Sequence, residues 1–77
     1  MPPPRKSGDD ATLRKLGQSI QAERKSRDLT QEAVSETIGI SARAYQAIEA
    51  GRVNVPATTL IRIKNALGAS WESLLPR

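Results

Sequence analysis

Apolar residues recur along this chain at helical spacing, and nowhere do they alternate as a strand would. Leu13, Leu16 and Ile20 lie three and four apart and predict a first helix with a single buried stripe. Asp10, a good cap residue, places its start. Gly17 lies inside that stripe. A helix-interior glycine costs about 1 kcal/mol relative to alanine, so its presence predicts close packing of another helix. Leu29 and Val34 flank Thr30 at the spacing of a hydrophobic staple around a cap, which opens a second helix at Gln31. Ile40 and Tyr45 repeat that spacing around Ser41 and open a third. Gly39 supplies the left-handed backbone of a sharp helix stop, and Gly51 ends the third helix in the same way. Pro56 suits the first turn of a fourth helix, where its missing donor would be unpaired anyway. That helix carries the stripe Leu60, Ile63 and Leu67 and closes at Gly68. Ser70 caps a short fifth helix bearing Trp71, Leu74 and Leu75, and Pro76 stops it. The pattern gives an all-α fold of five short helices over residues 10–77. Residues 1–9 precede it as a disordered N-terminal tail, in which Pro2, Pro3 and Pro4 favour an extended backbone.

Composition narrows the function. With 77 residues the chain forms one domain, small enough to be marginal alone, so a partner subunit would help it. The formal net charge of +4 is compatible with nucleic acid, and equally with simple solubility. Cysteine and histidine are both absent, which excludes a disulfide framework, a thiol nucleophile and a cysteine zinc site. Glu32 and Glu36 lie four apart on one helix, but nothing nearby completes a metal or acid–base site. No catalytic residue, metal or cofactor is therefore expected. No apolar run reaches membrane-spanning length and the N-terminus lacks the apolar core of a signal peptide, so the chain reads as cytoplasmic.

The stretch from Gln31 to Gly51 is helix, tight turn, helix, an arrangement that pushes its second helix outward as a probe. Ser41, Ala42, Arg43, Gln46, Ala47 and Ala50 face outward, with Tyr45 and Ile48 at the complementary inward spacing. A helix entering the major groove presents its N-terminal turn and one face to base edges. Arg43 can donate to guanine O6 and N7, or instead hold a phosphate; Gln46 can pair with adenine. Ala42 and Ala47 either meet thymine methyl groups or serve helix propensity alone.

This stretch resembles the helix-turn-helix of the phage repressor and Cro family of transcriptional regulators, the xenobiotic-response-element-like proteins. Gln31 stands at the first position of the motif, Val34, Ile38, Ile40 and Ile48 at its buried positions, and Gly39 at its turn glycine. The similarity runs from about Leu13 to Leu75. Ser35 departs from the usual alanine; it is small enough to fit and can bond its own helix. Tyr45 departs from the usual valine or isoleucine. Its size requires either that the core open slightly or that the hydroxyl reach the surface. Asp28 replaces a frequent glycine but tolerates the left-handed conformation.

The resemblance implies several roles. Gln31 and Ser41, at two helix N-termini, would hold DNA phosphates, as would Arg52 and Asn54 in the loop after the third helix. Arg24 and Glu49 match the positions of a partly buried ion pair between the first and third helices. The family often dimerises through its C-terminal end, which places Trp71, with Leu74 or Leu75, at a two-fold interface; otherwise Trp71 completes the monomer core. The N-terminal tail would be a DNA-touching arm or a leader without a role. The expected function is a sequence-specific transcriptional regulator that binds a palindromic operator in double-stranded DNA as a homodimer. A repressor, a restriction-modification controller and an antitoxin remain equally open, as does a protein partner such as a toxin or co-regulator. The alternative is a protein-interaction module that keeps the fold without strong DNA binding.

Overall fold

The computed structural model describes residues 7–76, with side chains from Asp9 onward. Five helices follow one another: α1 (Ser7–Ser26), α2 (Gln31–Ile38), α3 (Ala42–Glu49), α4 (Ala57–Leu67) and α5 (Trp71–Leu74). Among the described residues there is no strand. α1 begins at Ser7, so the boundary expected near Asp10 is displaced toward the N-terminus. Asp9 and Asp10 lie in the first turn, where carboxylates complement the positive end of the helix dipole. Asp10 is thus inside the helix rather than its cap. Of the expected tail, residues 1–6 lie outside the described residues.

Local chemistry fixes the short helices. The side chains of Thr30, Ser41 and Ser70 accept from the N–H groups of Ala33, Ala44 and Ser73, each satisfying a donor the helix cannot satisfy itself. α2 stops at Gly39 (φ +79°), where the Ile40 N–H reaches back to the Ser35 carbonyl at 3.1 Å. α3 stops in the same way, with Gly51 left-handed and the Arg52 N–H on the Ala47 carbonyl at 3.0 Å. Asp28 makes the equivalent turn after α1 with φ +55°. Pro56 sits just before α4 rather than in its first turn, and its carbonyl accepts the Leu60 N–H at 3.0 Å.

The core joins Leu16 and Ile20 of α1, Val34 and Ile38 of α2, Tyr45 and Ile48 of α3, Ile63 and Leu67 of α4, and Leu74 of α5. α1 packs on α3, α4 and α5, while α2 packs on α3 and α4. Tyr45 is wholly buried, so its hydroxyl does not reach the surface. Ser35 is buried too, and its hydroxyl donates to the Glu32 carbonyl one turn back at 2.8 Å.

Gly17 marks the tightest approach. A Cβ there would come 2.3 Å from the Glu49 carbonyl oxygen, so the backbones of α1 and α3 touch with no room for a side chain. Gly17→Ala should therefore separate the helices and destabilise the fold by about 3 kcal/mol or more, at the upper end of overpacking costs. Gly39→Ala meets no neighbouring atom and should cost only the backbone strain of its left-handed turn, about 1 kcal/mol. Chemical denaturation of both variants checks the order.

Candidate nucleic-acid interface

The outward face of α3 is set by what its inner face must do. Tyr45 and Ile48 are buried, while Arg43, Gln46 and Ala50 on the opposite side are exposed. Ser41 at the N-terminus is exposed as well, its oxygen occupied by the capping bond from Ala44. Ala42 and Ala47 are half-buried. Ala47 turns toward the following loop, where it shares an apolar hollow of about 230 Å³ with Ile40, Ala44, Val53, Asn54 and Pro56. Ala44 is exposed, an outward position that the helical spacing alone did not select. Arg52 and Asn54 stand exposed in the loop after α3.

A buried charged network holds this helix from behind. Arg24 Nε donates to Glu49 Oε2 at 2.7 Å and Nη2 to Oε1 at 3.2 Å. Its remaining fork arm, Nη1, donates to the Leu29 carbonyl at 2.7 Å, tying the α1–α2 turn to the same point. Gln31 Nε2 donates to Glu49 Oε1 at 3.0 Å. Burial alone would raise the Glu49 carboxyl. The bonds from Arg24, and less strongly the influence of Tyr45 and Gln31, outweigh it and hold the group below its ordinary range. Glu49 in turn raises the Arg24 guanidinium. The Tyr45 hydroxyl lies beside the pair without a well-formed hydrogen bond to either member. Its burial and the adjacent carboxylate push the phenol far above its usual range. Gln31 thus spends one amide N–H on Glu49 and has a second beside it.

The structure brings Gln31, Gln46, Glu49 and Ala50 together around a polar basin of about 310 Å³, whose other wall is Arg14, Gln18 and Gln21 of α1. Those three α1 residues were not selected from the sequence. Their polar stripe, opposite Leu13, Leu16 and Ile20, was the available signal, but nothing local says which helix it faces. In and just after α5, Trp71 and Leu75 are exposed by 38% and 44%, whereas Leu74 is fully buried. Leu74 therefore belongs to the monomer core and not to the expected interface. The reason is that α5 is a single turn, and its one inward position is taken by Leu74.

With this geometry in place, residues 20–74 match the helix-turn-helix family. The chain belongs to the Cro/C1-type helix-turn-helix family of DNA-binding transcriptional regulators. A crystal structure of the restriction-modification controller protein C.AhdI from Aeromonas hydrophila is similar, with a TM-score of 0.79 and 26% identity. That alignment covers 84% of this chain and 98% of C.AhdI. A search of curated proteins gives no match. The family's motif is α2–turn–α3, and no helix among the described residues is long and apolar enough to cross a membrane.

Removing one member of a buried pair leaves the other charged and unsolvated, so Arg24→Ala should destabilise the fold by about 3–5 kcal/mol, read as a lowered melting temperature. An unchanged melting temperature would mean the pair contributes nothing. The depressed Glu49 carboxyl also gives the fold a pH dependence. Its contribution is complete above the unfolded value of about 4.3 and is lost as pH falls through the lower folded value. Stability should therefore fall with acid below about pH 4, and Glu49→Gln, weaker at neutral pH, should lose that part of the slope.

Proposed function

We propose that this chain is a sequence-specific transcriptional regulator that binds a palindromic operator as a homodimer, with α3 of each subunit in the major groove. The observation that carries the reading is the fixed rotation of α3. Tyr45 and Ile48 are locked into the core, and Arg43 and Gln46, three apart on the opposite face, are exposed. In this reading Arg43 reads a guanine, Gln46 a neighbouring base, and Ala42 and Ala47 leave room for or touch thymine methyl groups. Gln31, with its second amide N–H, holds a phosphate at the N-terminus of α2. Ser41, Arg52 and Asn54 fix the register on phosphates around it. The likeness to C.AhdI favours a restriction-modification controller over a repressor or an antitoxin.

The dimer half of the proposal rests on exposed apolar surface. Ile61, Trp71 and Leu75 are all exposed. Lys64, one turn from Ile61 on α4, lies with its ammonium 5.4 Å from the centre of the Trp71 ring, which brings α4 and Trp71 to neighbouring positions. A two-fold axis through this end would set two reading helices about one DNA turn, roughly 34 Å, apart.

Selection from random duplexes should enrich a palindrome. Arg43→Ala should then cost about 1–3 kcal/mol per half-site and relax preference at one symmetric position. Arg52→Ala should weaken operator and scrambled DNA alike and reduce the salt slope by about one unit for each phosphate no longer held. Equal weakening of both DNAs by Arg43→Ala would make Arg43 a phosphate ligand. A wild type with no sequence preference at any salt would favour the interaction-module reading instead. Sedimentation should show a dimer at high concentration or on DNA, and Leu75→Lys, exposed in the monomer, should shift it toward monomer without lowering helicity.

A further inference from the structure

The polar basin between α1, α2 and α3 joins the proposed DNA surface to a helix outside the helix-turn-helix motif. Arg14, Gln18 and Gln21 of α1 line it together with Gln31 and Gln46, two of the residues assigned to DNA above. Four of the lining side chains are glutamines, whose amides donate as well as accept, and Arg14 supplies the cation. Arg14 is exposed and, among the described residues, makes no ion pair. The other charge at the basin wall is Glu49, already paired with Arg24, and along α1 stand Asp9, Asp10 and Lys15.

The position of Arg14 is also fixed. A Cβ on Gly51 would fall 2.6 Å from the Arg14 Cα, and one on Gly17 would fall 2.3 Å from the Glu49 carbonyl oxygen. One turn of α1 is therefore clamped by backbone contact to the last turn of the reading helix, and Arg14 moves with it as one body.

We propose that Arg14 is an additional DNA anchor. Its guanidinium binds a phosphodiester of the strand that borders the groove occupied by α3, with Gln18 and the second N–H of Gln31 completing the site. The inference rests on the DNA-binding reading. It follows from where α1 stands: beside α3 rather than on its tip, so a side chain from α1 meets the sugar–phosphate wall and not base edges. Arginine suits that ligand because its planar fork matches phosphate oxygens.

The test compares wild type, Arg14→Ala and Arg14→Lys on the selected operator and on a scrambled duplex of the same length, across salt. Alanine keeps the Cβ and the backbone contact with Gly51, and an unchanged thermal midpoint verifies the fold. Arg14→Ala should lower affinity for both duplexes by a similar factor, about tenfold at low salt, and reduce the log–log salt slope by about 0.9 per half-site. Arg14→Lys should keep the slope. Wild-type affinity and slope in Arg14→Ala would overturn this inference while leaving the DNA reading intact, provided Arg52→Ala still shows its own loss. A selective loss on the operator would overturn the phosphate assignment. Failure of the wild type to bind either duplex would overturn both.

Discussion

The contact between α1 and the last turn of α3 determines how the rest of the molecule can work. At one end it is backbone on backbone, because Gly17 has no side chain to hold the Glu49 carbonyl away. Two turns further along α1, Arg24 meets the Glu49 side chain through two hydrogen bonds. A buried ion pair is not by itself a strong source of stability, since desolvation opposes the Coulombic gain. Its directional geometry matters more here. A steric stop and a two-pronged bond at separate points on one interface leave α3 little freedom to slide or roll.

That restraint is needed because α3 has only eight residues. Such a helix is not stable alone and takes its position from tertiary packing. The same short segment must bury Tyr45 and Ile48 and present Arg43 and Gln46. A small rotation would disturb both at once. Tyr45 adds to the coupling: it fills the core where a smaller residue is usual in the family, and its hydroxyl ends beside the Arg24–Glu49 pair instead of at the surface. Gln31 extends the network outward. Its bond to Glu49 connects the interior charge to the N-terminus of α2, so the same carboxylate that secures the fold also orients a side chain on the exposed polar basin.

Two parts of the surface are chemically distinct. Where α1, α2 and α3 meet, four glutamine amides, the Arg14 guanidinium and the Glu49 carboxylate surround a polar basin. The α4–α5 side offers Ile61, Trp71 and Leu75, with the Lys64 ammonium over the indole ring.

Most of the secondary structure was readable from residue types because its causes are local. Thr30, Ser41 and Ser70 cap helices through bonds to residues three positions on, and Gly39 and Gly51 stop them through their own backbone freedom. The start of α1 was less legible, since Asp9 and Asp10 favour a first turn as well as a cap and the spacing does not choose between them. The inward positions of α3 followed from periodicity, and the pairing of Arg24 with Glu49 was suggested by resemblance rather than by spacing. What only the tertiary structure decided is which polar stripes face one another. Gln18 and Gln21 look like ordinary solvated helix surface in the sequence, as Arg14 does. They line a common basin with Gln31 and Gln46 because Gly17 and Gly51 let α1 and α3 come into backbone contact. Likewise the choice of Leu74 for the core and Leu75 for the surface depends on how one turn of helix settles against α1. Caps and stops are set within a few residues of chain, whereas the approach and rotation of two helices are set by atoms far apart in sequence.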